Sequence, residues 1–228
     1  MGVPVLVLGF SGSGKSSSLR NFKPDEVGVF AVAGKRLPFR SKLSVINMER
    51  KKGEYAEKGE PFNGYRYIMH ALKASTRRSF VIDDSQYLMS FEEMDSTKTG
   101  YDKFNSIGFN FIGLVRYIRS SLPDDVIVYL LHHVETEDTG RIKAKTIGKL
   151  VDNHFTLEGL FEIALLSEYD KGAYVFKTNT NGLTPVKCPP DMLPDTMDND
   201  LKQVDTAIRE YWGLKPITDA NEGEAHGE

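Results

Sequence analysis

The sequence predicts an α/β domain: a mainly parallel sheet flanked by helices and finished by a C-terminal antiparallel hairpin. Three observations carry this reading. An apolar run at 3–8 (VPVLVL) passes directly into a glycine-rich turn. From there to residue 131, apolar runs alternate with helix-period segments, the pattern of β-α units with parallel strands. Late in the chain, Tyr169-Asp170-Lys171-Gly172 and Asn181-Gly182 supply turn signals between apolar runs, which is how antiparallel strands are joined.

The first strand ends in Gly9-Phe10-Ser11-Gly12-Ser13-Gly14-Lys15-Ser16, which satisfies G-x-x-x-x-G-K-[ST]. Glycines at 9, 12 and 14 let the backbone take positive φ and approach a ligand with no Cβ in the way, so that successive N–H groups converge on phosphate oxygens. Lys15 is then placed to reach the β- and γ-phosphates and the Ser16 hydroxyl to ligate Mg²⁺, with a helix starting near Lys15 aiming its positive end at the phosphates. Gly9, Ser11, Gly12, Ser13, Gly14, Lys15, Ser16 and Ser17 are the candidate nucleotide-binding residues.

A short helix from Ser17 to about residue 21 is stopped by Lys23-Pro24-Asp25 before a second strand at 27–32. Two strands joined through a helix are expected to be parallel neighbours. Residues 33–60 mix eight lysines and arginines with Pro38, Gly53 and Gly59 around a short apolar run at 43–46, and read as a basic, partly irregular excursion that is either a solvated face or a contact for a phosphate backbone. Tyr55, Phe62, Tyr65 and Tyr67 fit a core more readily than a base-stacking surface. A helix over about 63–75 leads to the strand Phe80-Val81-Ile82-Asp83-Asp84-Ser85. Adjacent carboxylates at the carboxyl end of a buried strand suit a metal and a water; Asp83 is assigned to the metal beside Ser16, and Asp84 to the water, with the exchange of roles left open.

Residues 89–100 read as polar and mobile. A helix from about 102 to 122 carries Phe104, Ile107, Phe111, Leu114, Val115 and Ile118 at helical spacing, and the strand 126–131 ends at His132-His133. Ligands of open α/β sheets bind at the carboxyl ends of strands, so His132 or His133 is placed to sense phosphate or position water, and His132 joins Lys15 and Asp84 as a candidate catalytic residue. The charged stretch 135–149 reads as an exposed loop, 151–159 as a helix, and 161–169, 173–178 and 183–187 as strands. A last helix over about 199–212 carries Leu201, Val204, Ile208 and Trp212 on one face. The acidic stretch 214–228 reads as a disordered tail, leaving 1–213 as one domain with no domain expected ahead of the first strand.

The single Cys188 excludes an intramolecular disulfide and leaves no zinc-ligand spacing, which fits a reducing, cytoplasmic setting. No apolar run approaches the roughly 20 residues of a membrane-spanning helix. The net charge of −3 divides into 10 acids and 3 bases over 188–228 and a mildly basic remainder, too weak an imbalance to argue nucleic-acid binding by bulk charge.

Together, GFSGSGKS, the strand FVIDDS, the strand VIVYLLHHVE with its charged loop, and the late hairpin resemble phage-type ATP-binding proteins with a minimal RecA-like P-loop core, over about residues 3–212. Several members of that group are implicated in single-strand annealing and recombination. The resemblance implies a RecA-like fold, MgATP held by residues 9–16 with Asp83 or Asp84 on Mg²⁺, His132 or His133 in a phosphate-sensing place, single-stranded DNA as a partner, and a homo-oligomer. One position departs from the family. RecA-like ATPases carry a catalytic glutamate just past the second core strand, and here that strand ends Ala31-Val32-Ala33-Gly34-Lys35. Either Asp84 orients the water, or ATP is a structural ligand with little turnover. Two further readings remain: a small-molecule or nucleotide kinase, with 141–149 as its lid, and a nucleotide-binding interaction module without catalysis.

Overall fold

The computed structural model describes residues 1–96, 101–147 and 156–217. Its strands are β1 (Val3–Gly9), β2 (Val27–Ala31), β3 (Ser44–Asn47), β4 (Ser79–Asp83), β5 (Ile127–Thr136), β6 (Ile142–Ala144), β7 (Ile163–Asp170), β8 (Ala173–Lys177) and β9 (Thr196–Asp198). Its α-helices are α1 (Met48–Glu57), α2 (Gly64–Ala74), α3 (Tyr87–Asp95), α4 (Tyr101–Ser121) and, last among those described, α5 (Leu201–Trp212). The strands form one mixed sheet in the order β3-β2-β4-β5-β1-β7-β8-β9, with β6 added antiparallel to the end of β5. From β3 to β7 every pairing is parallel, and β7-β8-β9 is antiparallel. No described helix is long and apolar enough to cross a membrane.

Alternation along β1 explains the layers. Leu6 and Leu8 face α2, α3 and α4, joined by Phe30, Ile82, Val128 and Leu130. Val5 and Val7 face the other way, onto Leu19 of a six-residue 3-10 helix (Ser16–Asn21), onto Phe22 just after it, and onto Leu201, Val204 and Ile208 of α5. A strand buried on both faces reads as a continuous apolar run because both sides meet core. Each fully buried aliphatic side chain of α5 contributes about 1.5–3 kcal/mol, which docks that helix; Trp212, at its end, stays 37% exposed.

Helix ends follow local chemistry. The side chains of Asn47 and Asn63 accept from the N–H groups of Arg50 and Arg66 to open α1 and α2, and Asp200 accepts from Lys202 and Gln203 to open α5. Gly213, at φ 63°, closes α5 in the left-handed conformation, with Leu214 N–H reaching back to the Arg209 carbonyl at 2.8 Å.

Several expectations are corrected. Strands β1 and β2 are parallel but not neighbours, because β4 and β5 lie between them. The basic excursion contains β3, at the sheet edge, and α1. Of the stretch 89–100 read as polar and mobile, 89–95 belong to α3 and 97–100 lie outside the described residues; α3 has no side-chain N-cap hydrogen bond to announce it. Strand β5 runs on to Thr136, and part of the charged loop returns as β6. Residues 183–187 make only an isolated bridge, Ala164 to Lys187, and the third antiparallel strand is β9. Of the helix expected at 151–159, a 3-10 turn (Leu157–Leu160) is seen and 151–155 lie outside the described residues. Leu214 and Ile217 pack on the core, and the rest of the expected tail lies outside the described residues.

At the amino ends of β4 and β5, opposite the glycine-rich loop, α5 is tied down by a buried polar network. Asp205 accepts from the Ser79 hydroxyl at 2.6 Å, the Tyr129 hydroxyl at 3.0 Å and Arg209 Nε at 2.5 Å. The Arg209 guanidinium also donates to the carbonyls of Arg78, Asp125 and Lys215. Removing one partner of such a pair strands the other charge, at about 3–5 kcal/mol. Asp205→Ala should therefore lower the urea unfolding midpoint by that equivalent; a change within about 0.5 kcal/mol, typical of surface substitutions, would show that the network does not hold the helix.

Candidate anion and metal site

The carboxyl ends of β1, β4 and β5 meet one cavity of ≈ 320 Å³, lined by residues 11–17, Lys35, Arg36, Pro38, Asp83, Asp84, His133 and Tyr174. The loop 9–16 is its floor. Gly12 and Gly14 sit at φ 78° and 96°, the left-handed region that glycine enters without penalty. At Gly9 a Cβ would lie 2.3 Å from Ser13 Oγ and 2.7 Å from the Ser167 carbonyl, so only glycine fits where the loop leaves the strand. The Ser167 hydroxyl donates to the Ser13 carbonyl at 2.8 Å and accepts from Asn199 Nδ2 at 3.0 Å, pinning the loop to β7 and to the entry of α5. Among the described residues, the N–H groups of Gly12 and Gly14 have no protein acceptor, and Ser13 Oγ is buried without a partner.

Lys15 is 6% exposed, and its ammonium donates to the carbonyls of Gly9 at 2.7 Å and Phe10 at 2.9 Å. Burial pushes its pKa down to about 8, against the opposing pull of Asp84 and Asp83. Ser16 donates to Asp83 Oδ1 at 2.8 Å. Burial raises the Asp83 carboxyl above its usual range, and the Ser16 hydrogen bond and Lys15 only partly offset it. The helix expected after Lys15 is a 3-10 helix of six residues, so the macrodipole adds little and the loop N–H groups carry the positive field.

Asp84 follows β4 at φ 59°, a conformation that aspartate tolerates better than most side chains. That turn aims its carboxylate across the cavity. Lys35 Nζ donates to Oδ2 at 2.8 Å, and His133 Nε2 lies 3.1 Å from Oδ1. Burial opposes the charge, but the hydrogen bonds from His133 and Lys35 outweigh it and hold the carboxyl at about 2. Lys35 also lies over the Tyr87 ring, 5.4 Å from its centroid.

The structure thus gathers Ser11, Gly12, Ser13, Gly14, Lys15, Ser16, Ser17, Asp83 and Asp84 around one cavity, with Gly9 at its hinge. It does not bring His132 into the lining. Successive residues of a strand face opposite ways: His133 reaches the cavity, while His132 is fully buried on the other face, 5.6 Å from the Phe111 ring. Burial drives His132 down to about 4, so the ring is neutral. Its Nε2 meets the Lys145 carbonyl at 2.8 Å and must carry the proton, which leaves Nδ1 to accept from Ser85 Oγ at 2.9 Å. His132 therefore fixes the end of β5 to the chain beyond β6.

Four lining residues, Lys35, Arg36, Pro38 and Tyr174, escaped the sequence reading. Lys35 directly follows Gly34 at the carboxyl end of β2, where ligands of such sheets gather, and that position was the available signal. Tyr174 arrives from the β7–β8 hairpin, and no local pattern points to it. A second cavity, ≈ 310 Å³, lies between α1, α2 and α3; its walls are apolar apart from Glu49, Glu92, Asp95, Lys52, Asn63 and Ser96, a poor match for an anion. No group of three or more histidine, cysteine or acidic residues that could hold a metal occurs among the described residues.

The loop cavity can take an anion on its N–H groups and Lys15, and a cation between Ser16 and Asp83. Because the Lys15 ammonium loses its proton as pH rises through about 8, affinity for sulfate, which stays a dianion throughout this range, should be flat up to about pH 7.5 and fall above it, approaching tenfold per pH unit beyond the pKa. Calorimetric titrations between pH 6.5 and 9.5 check this, and constant affinity to pH 9.5 would remove Lys15 from the anion site. No protein-family model matches the chain and no curated protein is significantly similar to it, so the loop and the strand ends alone mark the site.

Proposed function

We propose that the chain binds MgATP through a P-loop on a RecA-like core. The observation that carries this reading is the Ser16-to-Asp83 hydrogen bond: it joins the hydroxyl that ends the glycine-rich loop to the carboxylate that ends β4, with Lys15 beside both. The order of the parallel strands, with β1 between β5 and β7, is compatible with a RecA-like layout. The donor set fits the ligand. Glycine N–H groups without acceptors and the orphaned Ser13 hydroxyl suit phosphate oxygens, and a hydroxyl–carboxylate pair suits Mg²⁺, which takes few protein ligands and shares the rest of its sphere with phosphates and water. Ser16 and Asp83 would hold the ion; when bound, it neutralises charge on the phosphate oxygens.

The chain's own residues then divide the work. Lys15 exchanges its carbonyl contacts for phosphate oxygens. Asp84, held ionised at about 2, is a weak proton acceptor at neutral pH, since a general base works best with a pKa near the working pH; it orients a water through its oxygens and does not deprotonate it beforehand. Lys35 and His133 keep that carboxylate aimed. Turnover is therefore expected to be slow in the isolated chain. Action on single-stranded DNA, as an oligomer, belongs to the same proposal. Exposed Lys35, Arg36, Arg40 and Lys42 supply cations from the cavity mouth outward, and phosphate contacts of that kind give salt-sensitive affinity.

Lys15→Ala should abolish MgATP binding, at least a hundredfold in Kd, with the thermal midpoint nearly unchanged. Normal ATP binding by that variant would overturn the assignment. Asp84→Asn should keep MgATP affinity and lose hydrolysis. The assay is phosphate release with and without single-stranded DNA at low salt: a rate raised by DNA supports a coupled ATPase, whereas tight binding without turnover in either condition turns the reading to a nucleotide-gated module.

A further inference from the structure

The cavity is chemically lopsided. On one side of the loop stand Lys15, Lys35, Asp83, Asp84 and His133, the groups that handle phosphate, metal and water. On the other side, towards β7 and β8, the lining residue is Tyr174. Its ring lies against the loop, close enough that a Cβ on Gly14 would come within 2.8 Å of Cδ1, yet the residue is 45% exposed. A large aromatic left half open beside a charged cleft is not explained by core packing.

The ring is held in place. Tyr174 pairs with Tyr169 across the β7–β8 hairpin, and the two rings meet edge to face at 5.0 Å and 63°. Lys171 and Gly172, at φ 49° and 91°, form a two-residue turn with the positive dihedrals of a tight hairpin. Lys177, at the open end of the hairpin, reaches along it to donate to Asp170 beside the turn at 3.0 Å. The Tyr174 carbonyl accepts from Asn199 N–H at 3.3 Å, and the Asn199 side chain reaches the loop through Ser167. The ring, the hairpin and the glycine-rich loop are therefore joined by a continuous set of contacts.

Resting on the P-loop reading, we infer that Tyr174 is the stacking platform for the nucleobase of the bound triphosphate, with Tyr169 buttressing its edge. A triphosphate whose terminal phosphate lies towards Lys15 and Asp83 carries its base out on the opposite side of the loop, where Tyr174 offers a flat face. Stacking favours the larger rings of purines but reads no hydrogen-bonding edge. The cavity lining contains no asparagine or glutamine, so the ligand class is purine nucleoside triphosphate, and ATP and GTP should bind within a few-fold of each other.

The test compares MgATP with Mg-tripolyphosphate, which keeps the phosphates and lacks the base, by calorimetry on the full chain. Tyr174→Leu, which keeps an apolar side chain over Gly14, should weaken ATP about 5- to 100-fold and leave tripolyphosphate within twofold, while Tyr174→Phe should bind ATP as the wild type does. Equal losses for both ligands would make Tyr174 a shaper of the loop and overturn the inference. Unchanged ATP affinity in Tyr174→Leu would overturn it as well, and if single-stranded DNA binding fell in that variant instead, the tyrosine pair would belong to nucleic acid. If wild-type protein bound neither ligand, the P-loop reading would fail first and the stacking role with it.

Discussion

Strand β1 is paired along both edges and buried on both faces, and this confinement determines what happens at its end. A chain leaving such a strand cannot continue outward through the layers of helices without burying unpaired backbone groups. It must turn sharply at the carboxyl edge, and the steric limit at Gly9, with Ser13 and the Ser167 carbonyl on either side, leaves one narrow way through. The loop that results lies over the strand end and aims its N–H groups into the cavity. Parallel pairing with β5 and, beyond it, β4 brings His133 and Asp83 to the same edge.

The charged groups of the cavity are engaged by one another and by the loop backbone. Lys15 spends its hydrogen bonds on loop carbonyls, and Asp84 takes up Lys35 and His133. Burial acts in opposite directions on the two buried members: it lowers the Lys15 ammonium and raises the Asp83 carboxyl. Both groups therefore hold their charge less firmly than a surface residue does. Asp84 differs because its two partners reach it directly.

On the side of the sheet opposite the cavity, the Asp205–Arg209 network anchors α5. It joins α5 to the amino ends of β4 and β5, away from the cavity, while the opening residues of the same helix contact the segment after the loop: Asn21 donates to Asp200 at 2.6 Å and Lys202 reaches Glu26 at 2.7 Å. One helix thus braces both ends of the central strands, so the hairpin and the loop share a common anchor.

The loop motif, the strand runs and the paired acids were legible in the sequence because each is a local pattern: glycine spacing, a continuous apolar run on a strand buried on both faces, adjacent carboxylates at its end. The order of the strands was not, since two strands joined through a short helix can still admit others between them, as β4 and β5 show. The two histidines could be placed at the end of β5 but not told apart, because which face of a strand meets the cavity and which meets α4 depends on layers assembled from distant segments. By itself the sequence determined an α/β chain with a glycine-rich loop after its first strand, since backbone freedom at glycine and runs of apolar residues are properties of neighbours in the chain. Only the tertiary structure decided that Lys35, His133 and Tyr174 share its cavity and that His132 does not, because those placements follow from sheet order, strand facing and a hairpin more than 150 residues away from the loop.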